Sequence, residues 1–185
     1  MASSGVAEAL VDVQQRKLAG DVQGLIRLLS VPTESGILVV RSVAARALGD
    51  LRAREAVPGL IRLLDDASED VRISAAIALG KIRDECSAGA LVRAIGDTSE
   101  PVRAWSVWAL GRTGDQSVVP SLVSLLSSES WWIRLETGRA LAEIGDSRGL
   151  RPLEAAVSRE RGRQRWRMAR AARRLRRKHR SSKRG

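Results

Sequence analysis

Apolar residues fall at Val40, Ala44, Ala47, Leu48 and Leu51, and again at Val71, Ala75, Ala78, Leu79 and Ile82. A third set keeps the offsets at Val102, Ala109 and Leu110, with Ser106 and Thr113 in the other two places. Each set has the spacing of one face of a helix turning every 3.6 residues. A second apolar set follows each: Val57, Leu60, Leu63 and Leu64, then Ala88, Leu91, Ala94 and Ile95, then Val119, Leu122, Leu125 and Leu126. The pattern therefore predicts a first helix and an antiparallel second helix, repeated every 31 residues from Val40, Val71, Val102 and Ile133. A period of this length marks a stacked solenoid, whose units bury their faces only against neighbours.

Turn residues agree. Gly114 with Asp115, and Gly145 with Asp146, place a residue tolerant of positive φ and then a capping carboxylate between the two helices. Pro58 and Pro120 sit in the first turn of a second helix, where a missing N–H costs nothing. Asp21 to Leu29 aligns with Ala56 to Leu64 at an offset of 35, which places four extra loop residues within Ser30 to Gly36. The helix around Val6 to Leu18 departs from the template and reads as an N-terminal cap. Beyond Ile133 the template falls on Met168, Ala171, Ala172 and Leu175, all apolar in a stretch otherwise mostly arginine. The expected organisation is all-α: a right-handed α-solenoid of about five helix pairs (residues 6–35, 36–66, 67–97, 98–128 and 129–158), a basic capping helix at 159–178 and a disordered basic tail at 179–185.

The segments Val71 to Gly80 and Gly114 to Leu122 resemble the HEAT-like repeats of the bilin-lyase, or E-Z, type. The resemblance covers residues 18 to 175 and implies a superhelix of HEAT-like pairs. It implies no single function, because similar repeats serve in bilin lyases, in deoxyhypusine hydroxylase, in accessory domains of enzymes and in adaptors. Deoxyhypusine hydroxylase holds two irons with His-Glu pairs, whereas the one histidine here is His179 in the basic tail. The ligands for that chemistry are missing, and the sequence marks neither a tetrapyrrole site nor an acceptor site of a bilin lyase.

Charge separates the two ends of the chain. Residues 1–158 hold 18 Lys and Arg against 20 Asp and Glu; residues 159–185 hold 14 against Glu160 alone. Such asymmetry points to an anionic partner, nucleic acid first. Arg163, Arg167, Arg170, Arg174 and Arg177 recur at alternating steps of four and three, one continuous stripe with Trp166 beside it. At 1.5 Å per residue the stripe spans roughly 21 Å, and contacts of this kind hold phosphates without reading sequence.

Other candidates are weaker. Arg41, Arg72, Arg103, Arg134 and Arg165 form a ladder, and Asp66 and Asp97, six residues before Arg72 and Arg103, suggest ion pairs between repeats. A shorter ladder, Arg27, Arg62 and Arg93, lies on second helices expected to line the concave side. Trp105 and Trp108 share a helix face and, with Ile73 and Ile77, form a candidate protein-binding patch for a partner or a second copy of the chain. Of Trp131 and Trp132, one is expected to cap the core and the other to be exposed. Cys86 excludes an internal disulfide and reads as a small buried side chain.

No nucleophile–base pair, metal cluster or phosphate loop stands out, so neither catalytic residues nor a cofactor is expected. The start lacks a secretory signal and no apolar run reaches membrane length, which suggests a cytoplasmic protein without membrane contact. The reading is a non-enzymatic scaffold that binds a protein through the solenoid and nucleic acid through the terminal helix. The alternatives are an accessory subunit of an enzyme complex that touches no nucleic acid, and an alkylbase DNA glycosylase. HEAT-like glycosylases combine a basic concave face with Trp and a catalytic Asp, and here Trp and the Arg27 ladder lie in different repeats.

Overall fold

The computed structural model describes residues 2–31 and 38–182, so the four-residue insertion predicted within Ser30 to Gly36 lies mostly outside the described residues. Among the described residues the chain is a succession of α-helices joined by tight turns, an all-α solenoid. Long helices alternate with short ones. The long series is α1 (Ala2–Ala19), α3 (Leu38–Asp50), α5 (Glu69–Ile82), α7 (Glu100–Thr113), α9 (Trp131–Ile144) and α11 (Gly162–Ser182); the short series is α2 (Val22–Leu28), α4 (Val57–Arg62), α6 (Ala88–Ala94), α8 (Val119–Ser124) and α10 (Leu150–Arg159).

Two leucine columns hold each pair together. Leu48, Leu79, Leu110 and Leu141 on the long helices, and Leu60, Leu91, Leu122 and Leu153 on the short ones, are sealed from solvent at the 31-residue interval. Each fully buried leucine contributes roughly 1.5–3 kcal/mol. Between repeats the contacts are smaller and closer. A Cβ placed on Gly49 would lie 2.6 Å from the Cα of Ala78, and one on Gly111 would lie 2.5 Å from the Cα of Ala140. These glycines let consecutive long helices stack in parallel at backbone contact.

Consecutive long helices pack along their lengths, and each short helix, continued by 3-10 turns, packs against the long helix that follows it. Arg27, Arg62 and Arg93 are exposed on the short-helix layer.

Turn positions carry a surprise at the ends of the long helices. Gly114 and Gly145 take the left-handed conformation, with φ of 81° and 87°, and the equivalent positions one and two repeats earlier are Arg83 at φ 61° and Arg52 at φ 53°. Asp84, Asp115 and Asp146 then accept backbone N–H groups at 2.7–2.9 Å and start the turn into the next helix. In that turn Ser87 is buried and Cys86 is exposed, contrary to the expected buried cysteine. Asp84 raises the Cys86 pKa, so the thiolate is disfavoured.

The final helix takes the place of a further long helix. Met168, Ala171, Ala172 and Leu175 are buried, and Ala171 and Met168 approach Gly138 while Lys178 approaches Gly145, so α11 runs parallel to α9. It continues to Ser182, so His179 to Ser182 are helical where the sequence suggested a disordered tail; residues 183–185 lie outside the described residues. Among the described residues no helix is long and apolar enough to cross a membrane.

Candidate functional site

The arginine ladder of the long helices is structural. Arg72 donates from Nε and one terminal nitrogen to the Asp97 carboxylate at 2.8 and 3.1 Å, and Arg41 reaches Asp66 at 3.2 Å. Arg134 meets Glu160 at 2.5 Å. The six-residue relation read from sequence is met differently: Arg72 donates to the backbone carbonyl of Asp66 at 2.9 Å, and Arg103 to that of Asp97 at 2.8 Å. The pairing therefore runs forward by 25 residues to the next turn. Among the described residues Arg103 has no carboxylate partner, because Ser128 stands where that partner would be. Arg165 is exposed on α11.

A groove of about 1110 Å³ opens between α7, α9 and α11. One wall carries Trp108, Arg112, Glu136, Arg139 and Glu143; the other carries Trp166 and the α11 cations. Four of the five predicted stripe residues, Arg167, Arg170, Arg174 and Arg177, line it, and Arg163 lies one turn before the groove. All five are exposed. Arg174 pairs with Glu143 at 2.5 Å, and Arg176, off the stripe, pairs with Glu154. Among the described residues Arg163, Arg167, Arg170 and Arg177 have no ion pair, so most of the stripe faces outward with its charge uncompensated. Met168 and its apolar companions turn the opposite side of the helix onto the core, which leaves the arginines nowhere else to point.

The tryptophans join the same region. Trp105 and Trp108 meet edge to face, with ring centres 5.5 Å apart and planes at 83°, a favourable aromatic geometry. Both are half-buried against the core, and Ile73 and Ile77 are half-buried one repeat earlier. Trp108 lies over Gly80, where a Cβ would come within 2.4 Å of the ring. Arg112 sits above Trp108 at 4.9 Å and donates to the Gly80 carbonyl at 2.8 Å. Burial lowers the Arg112 pKa, as do Arg83 and Arg52, while Glu143 opposes them. Arg52 and Arg83, held at positive φ, thus add to one positive field with Arg112.

A smaller recess of about 160 Å³, which shares Trp108, Glu136 and Arg139 with the groove, lies between Trp105, Trp108 and Trp132. Trp132 is partly covered there and Trp131 is exposed. Glu136 forms the floor. Burial raises its pKa, and Arg139, at 2.5 Å, partly offsets that. Sequence reading missed Glu136, Arg112 and Arg139 as groove residues. The one signal was that Glu136 stands at the register of Val43, Ser74 and Trp105, a carboxylate at an otherwise uncharged place.

No curated protein matches this chain. Among solved structures, a designed armadillo repeat protein in complex with the peptide (KR)4 superposes with a TM-score of 0.68 at 20% identity, covering 93% of this chain and 90% of that one. The complex of CpcE and CpcF of phycocyanin lyase from Nostoc sp. PCC7120 matches with a TM-score of 0.65 at 18% identity, covering 83% and 98%. Both likenesses are of fold. The family model for HEAT repeats matches residues 28–105 and 90–173. Those segments take in most of the chain, and their pairs are the stacked helices described above: the chain belongs to the HEAT-repeat family.

Proposed function

We propose that this chain is a non-catalytic interaction module whose solenoid docks a protein partner and whose terminal helix α11 holds nucleic acid by its phosphates. The observation that carries the reading is the stripe of Arg163, Arg167, Arg170 and Arg177, exposed, uncompensated and backed by a buried apolar face. A cap needs the apolar face alone. The likeness to a peptide-bound armadillo protein and to a two-chain lyase complex supports the protein-binding half of the reading. The half-buried face of Ile73, Ile77, Trp105 and Trp108 is the surface we assign to the protein partner or to a second copy.

Removing α11 would bare Met168, Leu175 and the core of α9, so the clean test changes charge alone. Replacing Arg163, Arg167, Arg170 and Arg177 by Gln leaves helix and core intact. Salt-dependent binding of oligonucleotides should then collapse. Four phosphates neutralised predict a slope of log affinity against log salt of roughly −3.6 on duplex and −2.8 on single strand. Unchanged binding by the quadruple variant would overturn the reading.

One observation favours the glycosylase alternative. The long-helix layer brings Trp105, Trp108, Trp132 and the buried Glu136 beside the basic groove, which the distribution of residues among repeats had argued against. Incubation with alkylated DNA tests it: released base supports the enzyme, and intact DNA supports the scaffold.

A further inference from the structure

The groove and the stripe together say more than that phosphates bind. Cations stand on both of its walls, Arg112 and Arg139 on the solenoid side and Arg167, Arg170 and Arg174 on α11; Glu136 and Glu143 share the solenoid wall and pair with Arg139 and Arg174, which leaves Arg112, Arg167 and Arg170 without an ion pair among the described residues. One open aromatic face lies beside them: Trp166 is 60% exposed, whereas Trp108 is covered by Gly80 and Arg112. At about 1110 Å³ the space lies at or above the top of the range of roughly 300–1,000 Å³ for a small-ligand cleft, which suits an extended chain better than a single small molecule.

We infer that the occupant of this groove is single-stranded nucleic acid, its backbone running between Arg112 and the α11 arginines and a base stacking on Trp166. The inference rests on the proposed nucleic-acid reading and narrows it. A duplex keeps its base faces inside its own stack, so it would lie on the outer side of α11, use one wall only and gain nothing from the indole. An acidic peptide would satisfy the cations and leave the indole without a planar partner. A single strand supplies phosphates and unstacked bases together, the combination that such proteins hold with a cationic groove and aromatic platforms. The recess between Trp105, Trp108 and Trp132 gives one base room to leave the strand.

The experiment uses the full chain with a fluorescent 15-nucleotide oligothymidine, a 15-base-pair duplex and a poly-glutamate peptide. The expected result is single-strand binding at least tenfold tighter than duplex binding, with quenching of Trp emission. Trp166→Ala, at an exposed site away from the core, should lower single-strand affinity roughly fivefold to a hundredfold and leave duplex affinity unchanged. Equal affinity for duplex, an unaffected Trp166→Ala variant, or poly-glutamate binding as tightly as the oligonucleotide each overturns the inference. The two readings fail separately. Equal duplex and single-strand binding that is lost when Arg163, Arg167, Arg170 and Arg177 become Gln keeps the phosphate-holding helix and removes the single-strand groove; no binding of either nucleic acid removes both.

Discussion

Arg72 and Asp97 form a two-pronged pair across 25 residues, with nitrogen–oxygen distances of 2.8 and 3.1 Å and both side chains mostly covered. Asp97 also accepts the Ser99 N–H at 2.7 Å. Desolvation works against its ionisation, but the Arg72 and Ser99 bonds outweigh it and hold its pKa below the usual range. A depressed carboxylate stabilises the fold above its unfolded pKa, roughly 3.9, and loses that contribution as pH falls through the lower folded value. Asp97→Asn should cost roughly 1.5–3 kcal/mol in urea unfolding at pH 7. The difference from the parent should shrink as pH falls below the unfolded value and through the lower folded one; a pH-independent difference would show that the charge is not the cause.

The same ladder has a gap to fill. Ser128 closes its turn at φ −55° and ψ 143°, near the φ −65° and ψ 145° of Asp66. Ser128→Asp would give Arg103 the carboxylate it lacks and should raise stability by about 1 kcal/mol. Thermal unfolding decides it, and a lowered midpoint would mean that the fourth repeat holds Arg103 differently.

Close stacking of the long helices predicts an asymmetry among glycines. Gly111→Ala would drive a Cβ into the Ala140 backbone and should destabilise by about 1–3 kcal/mol. Gly89, inside α6, has nothing within 4 Å of a built Cβ, so Gly89→Ala should stabilise by about 0.5–1 kcal/mol through helix propensity. Denaturant midpoints of the two variants should move in opposite directions.

Arg52 occupies the left-handed conformation that Gly114 and Gly145 occupy without a side chain. Arg52→Gly should therefore stabilise the fold, by up to about 1 kcal/mol, while weakening the positive field at Arg112. Unfolding curves and oligonucleotide affinity are expected to move in opposite directions.

Glu136 has the reverse pH sign from Asp97. Burial raises its pKa above the unfolded value, roughly 4.3, so what it contributes is full below that pH and is lost as pH rises through the folded value. Glu136→Gln keeps an acceptor for Arg139 and removes the buried charge. The parent should lose stability relative to the variant as pH rises from the unfolded value through the higher folded one, and parallel pH profiles would rule this out.

Much of the architecture is legible before any coordinates. Leu79 and Leu91 are buried because their apolar registers recur with the helical period, a local property that the backbone imposes wherever it coils. Met168, Ala171, Ala172 and Leu175 are found the same way, since a helix has one face to bury and theirs is the apolar one. Cys86 and His179 to Ser182 were misjudged for the converse reason. The outward turn of one side chain and the length of a solvated helix end leave no apolar signature.

By itself, the sequence determined the pairs, their period and a cationic last helix, because burial of one apolar face per helix depends on neighbours a few residues away. Tertiary structure alone decided how closely the long helices stack, because Gly49 meets Ala78 and Gly111 meets Ala140 some 29 residues along the chain. It also decided the site. Trp108, Glu136 and Arg170 share one groove because three long helices stack in parallel, a relation between backbones that no single repeat encodes.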